Sequence, residues 1–434
     1  MLPAVLIVAL TASAPSGLTQ TVEEQPTGPQ WTLSMQAGGG RLSEDPVAMF
    51  RPRATLEGSQ LRVALSAPLF LKISDESPTA DSRTMPVTWQ NDWSDFETYA
   101  AWIEDLTYRS KRGAIQLRAG GLRRQTLGHG TLVDDYTGSY DPSMPRSGLD
   151  FLVTTDVVEA KLLTDGLVRP RLVAASIAIA PFQIDDRSAG EPLTVALEVA
   201  TDMRAPITEG TTQIGGADLV VTGAPYVGDE LMWSLYGSLG SFFTETRSGA
   251  LGTHIGTELN WTRGREALLL RLEATVAGAG YDPAYFDDQY AAERNVIREG
   301  SESKAMRIAP AGYGTRGRVE FQTGPLTLGT SVEHTFARTA ENPTRASLYG
   351  ELTSDIWHVG LRVSQRAMRD SGDWFAMGTN SMAILDGAVR IHDAWFAYTL
   401  MHHGVRAGDD GIVTPVSDWV IGVGYGMAGN LSRL

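Results

Sequence analysis

The feature that most constrains this chain is a strict alternation of apolar and polar residues that recurs in many segments. Between residues 251 and 262, Leu251, Ile255 and Trp261 occupy odd positions, whereas His254 and Glu258 occupy even ones. Successive side chains of a β-strand point to opposite faces, so a period of two predicts strands with one apolar and one polar face. The same alternation recurs at residues 268–276, 316–322, 326–336, 346–353, 357–364 and 419–427.

The length of these runs and of their connections favours a membrane barrel over a soluble β-sandwich, which alternates in the same way. The runs extend over about 9–12 residues, which suits a tilted bilayer crossing better than the five or six residues of an average strand. Short turns are expected near residues 57–60, 110–113, 263–266, 323–325 and 354–356, and long connections near 68–98, 121–148 and 278–312. Short turns at one rim and long loops at the other are typical of outer-membrane barrels, whose long loops are extracellular.

Charged residues recur in the middle of the predicted strands, always on the polar face. An Arg or Lys facing lipid near the midplane would cost about 2–4 kcal/mol, so these side chains are expected to face inward. They line a water-filled channel if the lumen is open, whereas they act as structural ion pairs if they close it. The predicted lumen-lining residues are His254, Glu258, Arg271, Glu273, Arg316, Arg318, Glu320, Glu333, Glu351 and Arg362.

The aromatic residues and the last strand carry a family resemblance. Seven tryptophans fall at or near predicted strand ends, as in an interfacial girdle: Trp31, Trp233, Trp261, Trp357, Trp374, Trp395 and Trp419. In the last strand, Trp419 to Met427, apolar residues alternate with Gly422, Gly424 and Gly426, a small inward face that suits a crowded lumen wall.

Over nearly the whole mature chain, the sequence resembles the outer-membrane β-barrels of Gram-negative bacteria. The resemblance implies an all-β, transmembrane, antiparallel up-and-down barrel, located in the cell outer membrane with the lipid bilayer as its partner. Strand counting gives about 16 strands, within a range of 14–18. The chain departs from these barrels at its end, because it continues through Asn430 to Leu434 instead of stopping at an aromatic residue.

Composition excludes several classes of protein. The chain of 434 residues has no internal run of the roughly 18 apolar residues that a spanning helix needs. It has no cysteine, hence no disulfide or thiolate metal site, and its net charge of −15 argues against nucleic acid as a partner. Residues 1–14 are expected to form a signal peptide, which extends to about residue 19 at most. Residues 20–30 are expected to form a polar linker and 31–434 a single barrel.

Three regions leave alternatives open. The segment with Gly128, His129, Gly130, Asp134 and Asp135 either folds into the lumen and narrows it or is a flexible surface loop. The acidic, aromatic segment 281–290, with Asp282, Asp287 and Asp288, suggests a packed plug or a Ca²⁺ site, against a solvated loop. Residues 96–110 fit either an amphipathic helix or a strand, and the regions 149–168 and 374–394 are ambiguous.

The function expected from these features is a porin-like channel that passes small polar solutes through a charged lumen. The first alternative is a plugged structural or binding barrel whose extracellular loops engage a partner. A rim-site hydrolase is the third, but no residue spacing assembles a catalytic set, so an enzyme is not expected. No cofactor motif and no metal site are predicted, and no sequence feature identifies an oligomeric interface.

Overall fold

The structure is a computed structural model that describes most of the chain from Gln30 to Gly426. The described residues are 30–42, 45–73, 96–138, 146–181, 193–207, 210–244, 247–288, 290, 294, 304, 309, 311–336, 344–354, 356–368, 378, 381–392, 394–407 and 413–426. The predicted signal peptide, nearly all of the predicted linker and the last eight residues lie outside these ranges.

The described residues form 21 β-strands and one helical turn, Phe96–Ala100. The first eleven strands are β1 (Gln30–Leu42), β2 (Asp45–Glu57), β3 (Leu61–Ser66), β4 (Leu69–Lys72), β5 (Ile103–Arg109), β6 (Ile115–Gly120), β7 (Gly148–Thr154), β8 (Val158–Thr164), β9 (Leu172–Ile179), β10 (Leu193–Ile207) and β11 (Gly210–Val227). The others are β12 (Leu231–Thr244), β13 (Arg247–Arg263), β14 (Glu266–Ala277), β15 (Gly312–Thr323), β16 (Leu326–Phe336), β17 (Thr344–Thr353), β18 (Trp357–Met368), β19 (Ser381–His392), β20 (Trp395–Ala407) and β21 (Val413–Gly426). No helix in the described part of the chain has the length and apolar character to cross a membrane.

The strands form one closed antiparallel barrel. Except around β4, each strand pairs with its sequence neighbours, and β1 closes the barrel against β21, from Ser34 opposite Gly426 to Arg41 opposite Trp419. Strands β3 and β4 both pair with β2 and occupy one position, which is interrupted between them at Ala67 and Pro68. Proline has no backbone N–H to give to the ladder, so an interruption there follows from the sequence.

The 21 strands therefore occupy 20 positions, and the prediction of about 16 strands, within 14–18, is wrong. The count was too low because β5–β9 have only 6–8 residues each, too few for their alternation to stand out. Strands β10–β21 have 10–18 residues. If it is round, a barrel of 20 positions is roughly 40 Å across between backbones, given the usual strand spacing and tilt. The region 96–110 contains one helical turn followed by β5, not an amphipathic helix.

The outer surface of the barrel is apolar. Ile255, Val276 and Leu251 are 73%, 63% and 55% exposed, although they lie within strands and not in loops. Soluble monomers rarely expose apolar surface in continuous bands, whereas a transmembrane barrel places such a band against lipid. The alternation therefore puts the apolar face outside and the polar face inside, as the sequence indicates.

Aromatic side chains form a belt at one rim of this surface. Trp31, Trp357 and Trp395 lie at the first or second position of strands that start at this rim, and all three are exposed. Tyr425, near the end of β21, faces Trp395 across the ladder, with ring centroids 5.2 Å apart. The girdle predicted from the tryptophans is present here, but Trp419 lies in the middle of β21, and Trp374 is outside the described residues.

On the inner face of β20 and β21, aromatic rings lie flat across glycines. A Cβ atom at Gly424 would overlap the ring of Phe396, and one at Gly422 would come within 2.6 Å of the Tyr398 hydroxyl. Glycine at these positions lets a large inward ring lie flat against the neighbouring strand. The alternate glycines of the last strand thus make room for aromatic side chains of β20.

Candidate functional site

Two segments leave the wall and pack against the polar faces of its strands. The first inner segment comprises residues 122–138 and the second comprises residues 281–288 with Tyr290. They are joined by backbone hydrogen bonds from Ala284 N to the Thr131 carbonyl (2.8 Å) and from Phe286 N to the Leu132 carbonyl (3.1 Å). Of the alternatives left open by the sequence, the structure favours the inward fold over a solvated surface loop for both segments.

The first inner segment reverses direction at Gly128-His129-Gly130. Both glycines have positive φ, +50° and +76°, a conformation that other residues rarely adopt. A Cβ atom at Gly128 would overlap the carboxylate of Glu198, so the turn approaches the wall closely. On either side of the turn, Gln125 and Tyr136 exchange two backbone hydrogen bonds of 2.8 Å, which hold the segment as a hairpin.

An apolar core fixes both inner segments to one side of the barrel. Leu127, Val133 and Phe286 are fully buried, and they belong to a cluster that includes Phe242 and Leu163 of the wall. The Phe242 ring lies 4.8 Å from that of Tyr285. The two segments are thus packed like a protein interior, with the apolar side chains that a free loop would expose.

Four arginines on wall strands bind the first inner segment. Arg271 Nη1 donates to the His129 carbonyl (2.6 Å), and Arg316 Nη1 donates to the Gly130 carbonyl (2.8 Å). Arg318 Nη1 donates to Asp134 Oδ1 (2.9 Å), and Arg362 Nη1 donates to the Thr137 hydroxyl (3.0 Å). Because arginine presents several donors in a rigid plane, each can hold the segment and a wall carboxylate together.

Wall glutamates balance these arginines in alternation. Glu258 pairs with Arg271 (2.6 Å), Glu273 pairs with Arg316 (3.1 Å), and Glu320 pairs with Arg318. Arg124 of the first inner segment reaches back to Glu320 at 2.6 Å, and its guanidinium lies 3.5 Å from the centre of the Tyr349 ring. Charges of opposite sign therefore alternate across the interior, and each is bonded.

The carboxylate of Asp135 is buried within this network. Burial alone raises its pKa, but the guanidinium groups of Arg318, Arg124 and Arg362 outweigh that effect and hold the pKa of Asp135 well below its usual range. Asp135 is therefore charged at any physiological pH, which keeps the network intact.

Two histidines belong to the same network. His254 Nδ1 lies 3.0 Å from Glu273 Oε1, and its Nε2 lies 2.8 Å from the Tyr281 hydroxyl of the second inner segment. His129, at the turn, stacks on the ring of Tyr236 with centroids 3.9 Å apart. The histidines connect the wall to both inner segments and do not point into open space.

The structure brings together eight of the ten residues that the sequence placed on the lumen face. All eight are buried in the network: His254, Glu258, Arg271, Glu273, Arg316, Arg318, Glu320 and Arg362. Glu333 lies beside it, with its carboxylate 3.9 Å from Arg345, whereas the Glu351 side chain is 43% exposed and 4.0 Å from His358. These last two take no part in binding the first inner segment.

A second charged cluster holds the second inner segment. Asp287 pairs with Arg366 of β18 and with Lys304, at 3.4 Å, and Asp282 pairs with Arg345 at 2.9 Å. Burial raises the pKa of Asp287, but Arg366, Lys304 and Arg345 outweigh it and lower the pKa to about 2. These carboxylates are thus matched by protein cations, which supports a packed segment over the Ca²⁺ alternative.

Sequence reasoning missed the partners that the inner segments contribute. The sequence predicted the segment with His129, Asp134 and Asp135 only as a loop inside or outside the lumen, whereas these three residues and Arg124 are a third of the twelve residues of the network. The available signal was the density of paired charges around a Gly-His-Gly turn in a long connection. That pattern indicates that the loop can form ion pairs, but it does not indicate which strands carry the partners.

Comparisons with known proteins give fold-level similarity only. No family model and no curated protein matches the chain. Among solved structures, OprD of Pseudomonas aeruginosa aligns at 10% identity over 92% of this chain and 94% of its own, with a TM-score of 0.33. The FrpB iron transporter of Neisseria meningitidis aligns at 7% over 92% and 82%, with a TM-score of 0.36. The siderophore receptor PirA of Acinetobacter baumannii aligns at 9% over 94% and 81%, with a TM-score of 0.36.

The membrane assignment depends on the geometry of this chain. A closed up-and-down barrel needs no partner for its edges, and its exposed apolar face and aromatic rim match a bilayer and its interface. The interior is charged and the exterior apolar, the reverse of a soluble protein. The chain is therefore a transmembrane β-barrel, the architecture of outer-membrane proteins.

Proposed function

We propose that the protein is a channel that passes small polar solutes between the inner segments and the opposite wall of the barrel. The observation that carries this proposal is that the contacts of the inner segments described above fall on 11 of the 20 strand positions and not on the whole circumference. These contacts lie on strands β8–β18, from Lys161, which donates to the Thr126 carbonyl (3.1 Å), to Arg366. Segments attached to only part of the wall narrow a barrel of this width and leave a passage beside them.

The opposite wall presents charges suited to polar solutes. Arg51 and Arg53 of β2 pair with Glu104 at 3.4 and 3.0 Å, and Arg62 pairs with Asp105 at 3.4 Å. The side chains of Arg51, Glu104, Arg62 and Asp105 are each 21–28% exposed, so they are available to water and to a passing solute. Since both signs are present, we expect passage of small polar solutes with weak discrimination between anions and cations.

A second function, a plugged barrel that binds a partner through its loops, is favoured by the pairing of the seven buried arginines and glutamates of the network. Charges that neutralise each other attract no solute, and they give the inner segments the rigidity of a plug. This candidate predicts a barrel that does not conduct until the inner segments are removed.

Single-channel recording in planar bilayers tests the proposal. Wild-type protein is expected to give steady ohmic steps, and replacement of residues 123–137 by a short Gly-Ser linker is expected to enlarge them. Circular dichroism serves as the control that the β-sheet signal is retained. A silent wild type and a conducting replacement variant would favour the plugged barrel, and silence of both would exclude a channel.

A further inference from the structure

One pair of buried carboxylates in the barrel interior differs from those around it. Glu198 of β10 and Asp218 of β11 lie directly opposite each other in the strand register, and each is 1% exposed. Other buried acids of the interior, such as Glu258 and Asp202, are bonded to an arginine. Two like charges on facing positions destabilise a sheet unless something neutralises them.

The carboxylates of this pair form no ion pair with a lysine or arginine among the described residues. Glu198 Oε1 is buried without a hydrogen-bond partner there, and Asp218 has no partner other than the hydroxyls of Thr131 and Ser238. Ser238 is two positions along β12 from Gly240, the register partner of Asp218, so its hydroxyl is on the same face and next to the acid. Ser238 is itself buried, with 9% of its surface exposed.

The nearest protein cations are already bonded elsewhere. Arg271 and Lys161 act on Glu198 only through longer-range attraction. Arg271 is bonded to Glu258 and to the His129 carbonyl, and Lys161 is bonded to the Thr126 carbonyl. Neither can move to Glu198 without leaving another buried group unpaired.

We propose that Glu198, Asp218 and Ser238 bind a divalent metal cation, with Ca²⁺ as the ion of matching chemistry. The ligands are all oxygens, which are the donors that hard cations prefer, and the two carboxylates supply the two negative charges that a divalent ion neutralises. Ca²⁺ accepts irregular sets of oxygens, whereas Mg²⁺ demands near-ideal octahedral geometry. A site assembled from three neighbouring strands therefore suits Ca²⁺ better.

The first inner segment closes this site. The Thr131 hydroxyl lies 3.5 Å from Glu198 Oε2, and the backbone of Gly128 approaches the same carboxylate. A cation bound to Glu198 would thus tie the turn of the segment to β10, whereas the arginines bind it to β14, β15 and β18. The inference concerns ion binding and is independent of whether the barrel conducts.

Terbium luminescence and thermal unfolding of detergent-purified protein test the site, with Ca²⁺ as the competing ion. The Tyr281 ring lies against Gly240, beside Asp218, so tyrosine excitation is expected to sensitise Tb³⁺ bound there. We expect saturable luminescence that Ca²⁺ displaces more readily than Mg²⁺, and a Tm that rises with Ca²⁺ and falls with a chelator.

The variants Glu198→Gln and Asp218→Asn are expected to lose both the luminescence and the Ca²⁺-dependent rise in Tm. Glu351→Gln, which removes an exposed acid elsewhere in the barrel, is the matched control and is expected to keep them. If the carboxylate variants do not fold, Tyr281→Phe in the wild-type background still reports the site, because it is expected to reduce the sensitised luminescence and leave the Ca²⁺-dependent rise in Tm unchanged. A wild type without Ca²⁺-dependent Tm or luminescence, or unchanged binding in the carboxylate variants, would overturn the proposal and indicate a protonated pair.

Discussion

Replacement of Arg318 by glutamine is expected to release the first inner segment from the wall without opening the barrel. The guanidinium of Arg318 lies 2.9 Å from Asp134 and 3.3 Å from Asp135, and it also pairs with Glu320. These three carboxylates are only 5–8% exposed. Their burial means that water cannot replace the lost guanidinium while the segment stays in place.

The magnitude follows from the cost of unpaired buried charge. Removing one partner of a buried ion pair costs about 3–5 kcal/mol, chiefly because the remaining charge stays uncompensated. Here Arg124, Arg316 and Arg362 remain near the carboxylates, so the lower end of that range applies. A cost of about 3 kcal/mol raises the fraction of molecules with a detached segment by roughly 150-fold.

A cysteine reporter measures that fraction. The chain has no native cysteine, so Val133→Cys places a single thiol at a fully buried position of the segment. When opening and closing are fast, the rate of labelling by a small charged thiol reagent follows the population of the detached state. We expect labelling roughly 150-fold faster in the Arg318→Gln background, together with larger and noisier conductance steps.

Two further variants test whether the effect comes from the contacts of Arg318 with the inner segment. Arg53→Gln removes an arginine of similar burial on β2, where it pairs with Glu104 and not with the inner segment, and it is expected to leave labelling unchanged. Adding Asp134→Asn and Asp135→Asn to Arg318→Gln removes both sides of the pair and is expected to restore slow labelling in part. Labelling in Arg318→Gln at the wild-type rate would refute the claim that this network anchors the segment.

Three other predictions follow from the same geometry. Ile255→Arg places a charge on the exposed outer face and is expected to destabilise the membrane-inserted barrel by about 2–4 kcal/mol in denaturant titrations from lipid vesicles; an unchanged midpoint would argue against lipid contact. Gly424→Val is expected to cost about 1–3 kcal/mol in the same assay through overlap with Phe396, and Phe396→Ala should relieve it. Because Asp135 and Asp287 have lowered pKa values, about 2 for Asp287, their stabilising charge is complete above about pH 4 and is lost as the pH falls toward 2. Conductance should therefore stay constant from pH 8 to 5 and rise only in stronger acid, and a rise between pH 8 and 5 would contradict this.

The sequence predicted the wall of the barrel well where strands are long. In β13–β15 the alternation of side chains places Glu258, Arg271 and Arg318 on the inner face, because the direction of a side chain in a strand depends only on its position in the local backbone. The same reasoning failed for β5–β9, whose few residues cannot be told from loops. The strand number depends on those short strands, so it needed the pairing partners that complete the barrel.

What the interior contains was decided only by the tertiary structure. Arg318 and Asp134 are 184 residues apart in the chain, and Arg362 and Thr137 are 225 apart. Local periodicity shows that a charge faces inward, but not whether it meets water or a carboxylate from a distant loop. The sequence by itself thus determined the outside of this protein, since lipid contact is a property of each strand. The fold determined the inside, because closure of the barrel brings distant segments to the same charged surface.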